Sequence, residues 1–207
     1  MVGGGTDAFI GAIHRLAAFM DNQIELVCGC FSIDPAISKE SGKLYFLPEE
    51  RVYETYEEMF NKEAQLPEGE RMDFVSIVTP NFVHFAPAMM ALENGFHVVL
   101  DKPITFTLDE ALQLKKKLDE TGLTFALTHV YSGYPAVKHA RQMVADGDLG
   151  KIRKIYVEYP QGWLSTKLED TGNPQASWRT DPNGRGKRDA WATLEHMHTI
   201  WQNTLAD

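Results

Sequence analysis

Short β-branched runs alternate along this chain with stretches whose apolar residues recur at helical spacing. Residues 75–78 form a largely apolar run of the kind that fills a central parallel strand, buried on both faces, and Thr79-Pro80-Asn81 ends it. From 83 to 93 the residues Phe85, Ala88, Met89 and Leu92 fall on one helical face, Gly95 supplies a stop, and residues 97–100 give a second buried strand. Thr107-Leu108-Asp109-Glu110 reads as a capping box. It opens a helix with a buried stripe of Leu108, Ala111, Leu114 and Leu118, a solvated face at Lys115, Lys116 and Lys117, and an end at Gly122. A strand follows at 123–130. Upstream, residues 25–31 read as a strand and 56–62 as a short helix, with polar surface connections over the rest of 39–69. Downstream, a helix begins at Pro135 and is closed by Gly147 and Gly150, and residues 151–159 alternate like a strand of a new sheet. This order predicts an α/β fold: a doubly wound parallel sheet of the Rossmann type over 1–128, followed by a helix and a strand of a new sheet.

Ligands of such a sheet sit at the carboxyl ends of its strands. Two polar clusters emerge there, Thr79-Pro80-Asn81 with His84, and Asp101-Lys102-Pro103. The N-terminal stretch places Gly3, Gly5 and Ala8 in G-x-G-x-x-G/A spacing before a helical pattern that opens with Phe9 and Ile10. Glycines there permit a tight turn and a close approach of backbone N–H groups to a pyrophosphate at a helix N-terminus. The strand that should precede them has shrunk to Met1-Val2: either the true start lies upstream or strand one is nearly missing. At the end of the second strand, where an acid commonly binds a ribose hydroxyl, stands Ser32, so NAD versus NADP stays open. Asp34 either serves the ribose or caps its own backbone in an Asp-Pro turn. His129 and Tyr131 close the strand at 123–130.

Composition narrows the partners. The 207-residue chain is 43% hydrophobic with a net charge of -9, which disfavours nucleic acid and anionic membranes because both require a basic footprint. Cys28 and Cys30 are too close in sequence for an ordinary structural disulfide, which fits a reduced, cytoplasmic setting. No apolar run is long enough to span a bilayer, and no signal peptide is seen. Glu195, His196 and His198 lack the helical spacing of a zinc site, so no metal is expected.

The pattern TPNxxH, then AL-x-x-GxHV, then an acid with Lys-Pro resembles the glucose-fructose oxidoreductase / inositol dehydrogenase (Gfo/Idh/MocA) family. The usual Glu-Lys-Pro is here Asp101-Lys102-Pro103. The resemblance implies an NAD- or NADP-dependent oxidoreductase that moves a hydride between the nicotinamide and a secondary alcohol of a sugar, polyol or inositol-like substrate. It implies that 129–188 are the incomplete start of a second α/β domain, and cofactor contacts at Gly3, Gly5, Phe9, Ile10, Ser32, Thr79, Pro80, Asn81, His84, Asp101, Lys102 and His129, with Lys102 as the catalytic residue. Trp178 and Arg179, in a QASWRTDP stretch like the family's, are candidates to face substrate, and full-length relatives are expected to be homo-oligomers. The family's later Gly-Asp-x-Gly-x-His motif, whose His partners the Lys, is missing after Pro182. Residues 189–207 are expected to be a frameshifted reading of that region. Shifted by one nucleotide, Trp191 into Ala192 forces Gly, while Met197 into His198 and Trp201 into Gln202 force Ala, where the family pattern accepts them. The chain as given is therefore expected to be a poor catalyst, the alternative being a non-catalytic dinucleotide-binding protein or an inactive remnant.

Overall fold

A computed structural model describes residues 1–6, 8–158, 162 and 166–171. The chain divides into two compact units, Met1–Thr128 and a second that starts at His129. In the first, β1 (Phe74–Ile77), β2 (His97–Leu100) and β3 (Phe125–Leu127) form a parallel sheet in the order β1-β2-β3. Val75 pairs with Val98, and Val98 with Phe125. On the free side of β1 the sheet continues as isolated parallel bridges, Val2 to Ile77, Val2 to Cys30 and Gly29 to Val52. Across the whole width the order is therefore Val52, Gly29-Cys30, Val2, β1, β2, β3, and the direction of chain progression reverses between Val2 and β1. That reversal is the topological switch point of a doubly wound sheet.

The Met1–Gly3 segment is hydrogen-bonded on both sides: toward β1, Val2 N donates to Ser76 O (2.8 Å) and Val78 N to Val2 O (3.0 Å), and on the other side Cys30 N donates to Met1 O (2.9 Å) and Gly3 N to Cys30 O (2.8 Å). With its central neighbour only two residues long, the strand expected over 25–31 is reduced to the bridges at Gly29 and Cys30, since a ladder extends only as far as its partner. For the same reason β3 is shorter than the expected 123–130, because β2 offers partners only as far as Leu100.

The core beneath β1 and β2 gathers Val75, Ile77, Val98 and Leu100 with Ala88, Ala91 and Leu92 of α4 (Phe85–Glu93), Met59 and Phe60 of α3 (Tyr56–Glu63), Phe96, and Leu114 of α5 (Leu108–Thr121). Each Val, Ile, Leu, Met or Phe side chain among them contributes about 1.5–3 kcal/mol on leaving water. The Thr107/Glu110 capping box forms, and Gly122 ends α5 in the left-handed region at φ 67°. Leu108, expected in the buried stripe, is exposed, because α5 packs through Leu114 and Leu118 and leaves its first turn outside the core. Alternate residues of β1 are only half-buried, so its second face is not the fully buried one the apolar run predicts; Ser76 lies there.

Two helices depart from apolar patterning. α2 (Pro35–Leu44) forms where a surface connection was expected, started by Asp34, whose carboxylate accepts from Ala36 N at 2.9 Å, and by Pro35 at its first turn. Its inward face is Ser38, Ser41 and Gly42, small residues without an apolar signature. Ser38 Oγ accepts from Phe31 N (3.1 Å) and donates to Tyr53 O (3.2 Å). α1 (Phe9–Phe19) is inverted. Gly11 is buried and His14 and Arg15 are half-buried, while Phe9, Ile13, Leu16 and Phe19 are exposed.

A buried acid ties the region before β1 together. Glu63 receives Arg51 Nη2 at 2.8 Å, Tyr53 OH at 2.7 Å and Met72 N at 3.0 Å.

In the second unit, α6 (Pro135–Ala145) forms as its pattern predicts. Residues 151–158 carry no strand, and Ile152, Ile155, Tyr156 and Val157 are exposed. Alternation becomes a strand only where a neighbour completes the ladder, and none does so among the described residues. Tyr159, Trp178, Arg179 and the tail 189–207 lie outside the described residues.

Candidate functional site

Three loops meet at the carboxyl ends of Val2, β1 and β2. The glycine loop leaves Val2 with Gly3 and Gly4 both at φ 77°, a region that L side chains rarely adopt. Its N–H groups are partly committed to the sheet: Gly3 N donates to Cys30 O (2.8 Å) and Gly5 N to Phe31 O (3.1 Å). In the first turn of α1, the N–H groups of Phe9 and Ile10 receive no side-chain cap from Ala8, which leaves them as candidate donors to an anion. Gly11 lets α1 approach the loop, because a Cβ there would stand 2.3 Å from Gly4 Cα. Behind the loop, Arg15 Nη1 (2.7 Å) and Tyr45 OH (3.2 Å) both donate to Gly4 O, with the guanidinium stacked 3.8 Å from the Tyr45 ring centroid.

The second loop follows β1. A Cβ on Gly3 would meet Thr79 Cγ2 at 3.1 Å, so the glycine loop and Thr79 are in contact across the switch point. Thr79 Oγ1 and Asn81 Oδ1 are buried polar atoms without a hydrogen-bond partner. One is a hydroxyl and the other an amide carbonyl, and a dinucleotide's ribose hydroxyls and phosphates offer partners to both. Together with the uncapped helix end and the glycine turn, these orphaned atoms fit an NAD-type cofactor.

The third loop is Asp101-Lys102-Pro103, with a cis Lys102–Pro103 peptide. Thr128 Oγ1 donates to Asp101 Oδ1 at 2.9 Å, and His14 Nε2 stands 3.8 Å from the same oxygen. Asp101 is held below the usual carboxylate range: burial acts to raise it, and the contacts of His14, Thr128 and Lys102 outweigh burial. Lys102 is half-buried at the turn.

His84 links the second and third loops. Its Nε2 lies 2.9 Å from Thr79 O and its Nδ1 2.7 Å from Pro103 O. Both nitrogens face backbone carbonyls, so His84 acts on any ligand through the loops it ties rather than by presenting a nitrogen of its own. Burial pushes its pKa down, against the opposing pull of the two carbonyls and Asp101.

The remaining candidates are spread more widely. Ser32 Oγ accepts from Asp34 N at 3.2 Å, and Asp34 spends one carboxylate oxygen on the α2 cap, the local role that an Asp-Pro turn allows. His129 opens the second unit just before the short helical turn Val130–Gly133, and burial lowers its pKa. Gly11, His14, Arg15, Tyr45 and Thr128 were not singled out by the sequence reading. A signal existed in two polar residues, His14 and Arg15, inside an otherwise apolar helix.

A family model described as an oxidoreductase family with an NAD-binding Rossmann fold matches residues 1–129. The chain belongs to this family, GFO_IDH_MocA. Over 206 residues it is 34% identical to the uncharacterized oxidoreductase YfiI of Bacillus subtilis, covering 99% of this chain and 52% of that protein. It is similar to a solved inositol dehydrogenase homolog from Azotobacter vinelandii complexed with NAD+, with a TM-score of 0.91 and 37% identity over 99% of this chain and 52% of that one. The same homolog complexed with NADH and myo-inositol matches with a TM-score of 0.87 and 36% identity, over 100% of this chain and 52% of that one. The chain thus spans about half the length of these relatives. Among the described residues, no helix is long and apolar enough to cross a membrane and no group of side chains could hold a metal ion.

Proposed function

We propose that residues 1–128 bind NAD or NADP across the switch point, and that 129–188 begin the domain that covers a sugar, polyol or inositol-like substrate in longer relatives. The observation that carries this reading is the pair of orphaned buried atoms, Thr79 Oγ1 and Asn81 Oδ1, beside a glycine loop braced from behind by Arg15 and Tyr45. Gly3 and Gly5 shape the turn, the first-turn N–H groups of Phe9 and Ile10 take the pyrophosphate, and Thr79, Pro80 and Asn81 line the crevice. Ser32 and His129 are kept as further proposed cofactor contacts on the family resemblance alone. A relative crystallised with NADH and myo-inositol supports the substrate class.

When bound, the cofactor supplies a nicotinamide carbon that accepts or returns a hydride. The alcohol carbon exchanges that hydride while its oxygen exchanges a proton. Lys102 is proposed to handle the proton: as an ammonium it would donate to a carbonyl oxygen gaining charge, and in oxidation it would accept the proton back. Asp101 sits beside it as a fixed negative charge. Trp178 and Arg179 are proposed substrate contacts.

Turnover by this 207-residue chain is proposed to be weak, because residues 183–207 lack a Gly-Asp-x-Gly-x-His motif. Loss of an acid–base partner costs about 10²- to 10⁴-fold. The proposed origin of 189–207 in a shifted frame is checked in the coding sequence: failure of the alternative frame to encode that motif removes it. Fluorescence titration with NADH and NADPH tests the binding reading, and absence of saturable binding to either would overturn it. A polyol panel with Lys102→Ala as control separates an oxidoreductase from a binding protein, because only the former loses turnover in the variant.

A further inference from the structure

The inverted packing of α1 sets aside apolar burial for two polar contacts. Phe9, Ile13, Leu16 and Phe19 point outward while His14 and Arg15 take the inward positions. Turning a helix this way forgoes about 1.5–3 kcal/mol for each large apolar side chain left in water, so the inward polar groups need partners of comparable worth. Arg15 finds Gly4 O. His14 bridges two strands: Nδ1 lies 3.0 Å from Ser76 Oγ on β1, and Nε2 faces Asp101 Oδ1, just past the end of β2, at 3.8 Å.

We propose that His14 is a positioning residue for the Asp101–Lys102 turn, fastening it to the helix that carries the glycine loop. This rests on the dinucleotide reading of the site given above. When the Ser76 hydroxyl donates to Nδ1, the ring proton is left on Nε2 and aimed at the Asp101 carboxylate; an imidazolium presents the same positive edge. The attraction therefore holds in either protonation state. At 3.8 Å the contact is longer than a hydrogen bond and acts as a short electrostatic strut, complementing the direct donation from Thr128. The charged and titratable groups facing Asp101 are His14 from α1, neighbouring Lys102, and His84 from the turn before α4. His14 alone among them stands on the glycine-loop helix. It makes the pyrophosphate end of the site and the Lys102 turn parts of one braced unit, so that occupying the first is felt at the second.

The test uses the full chain with His14→Ala, His14→Gln, Asp101→Asn and the two double variants that combine Asp101→Asn with each His14 change. NADH affinity is read by fluorescence titration, and the Asp101 side-chain carboxyl is followed by carbon NMR against pH without ligand. His14→Ala is expected to weaken NADH about tenfold, the scale of one contact to a charged group. His14→Gln, which keeps a donor at the Nε2 position, is expected to recover most of that affinity, and neither change should matter further in the Asp101→Asn background. The Asp101 titration midpoint is expected to rise in His14→Ala and to return toward wild type in His14→Gln. Equal losses in Ala and Gln, or full additivity with Asp101→Asn, would overturn the proposal. If His14→Ala does not fold, His14→Leu replaces it as the donor-free variant. If the wild-type chain binds neither NADH nor NADPH, the dinucleotide reading fails on its own, and the carboxyl titration decides the His14 strut: an unmoved Asp101 midpoint in the donor-free variant removes it.

Discussion

His84 Nε2 stands 2.9 Å from the carbonyl oxygen of Thr79, so the residue that closes the TPNxxH motif braces the residue that opens it. Through Nδ1 the same ring braces Pro103 at 2.7 Å, which joins the loop after β1 to the loop after β2. A neutral imidazole has one N–H for these two acceptors, and the second contact is complete only when the ring is protonated. Burial works against that proton.

This conflict sets a pH dependence. Because burial holds the folded pKa of His84 below its ordinary 6.5, the unfolded chain takes up a proton first as pH falls. Stability is therefore full above 6.5 and declines as pH drops from there toward the folded value. Urea midpoints should fall between pH 7.5 and pH 5.5, and His84→Gln should flatten the part of that fall lying below 6.5.

Gly11→Ala should destabilise the chain and weaken dinucleotide binding together. In a solvent-exposed helix interior the change would stabilise by about 0.5–1 kcal/mol. Here the new Cβ would stand 2.3 Å from Gly4 Cα, backbone against backbone, and overpacking of that kind costs about 1–3 kcal/mol. The clash exceeds the propensity gain, so the net sign is negative. Chemical denaturation and NADH titration on the same variant check it.

Arg51→Ala should cost about 3–5 kcal/mol, because Glu63 is fully buried and would lose the guanidinium that stands 2.8 Å away. Lys62→Ala, which removes the exposed pair with Glu58, should change stability by less than about 1 kcal/mol. Urea unfolding of the two variants in one buffer separates the cases.

Gly5→Asp should abolish dinucleotide binding. Gly5 is buried where the glycine loop runs into α1, and its N–H is bonded to Phe31 O at 3.1 Å. A carboxylate there would meet the pyrophosphate proposed for the helix end. Circular dichroism confirms folding and NADH titration reads the loss; undiminished affinity in a folded variant would refute the glycine-loop assignment.

Local periodicity determined a good part of this protein. The apolar runs at β1 and β2, the stripe of α4, the Thr107/Glu110 box and the Gly122 stop of α5 are each written within about fifteen residues, and each formed. The motifs likewise placed Thr79, Asn81, Asp101 and Lys102 at strand ends, because a run that ends at a polar turn must present that turn at the sheet's edge. What the tertiary structure decided depends on residues distant in sequence. α2 forms on a face of Ser38, Ser41 and Gly42, because close contact and hydrogen bonds to Phe31 and Tyr53 replace the apolar stripe that a pattern search requires. The 25–31 run forms only bridges, since its extent depends on how much of Met1-Val2 lies beside it. α1 turns His14 and Arg15 inward in preference to Ile13 and Leu16, and Asp101, Ser76 and Gly4 O meet them there. An electrostatic or hydrogen-bonding partner has no period along the chain, so only the folded sheet, which brings β1, the end of β2 and the glycine loop under one helix, could reveal it.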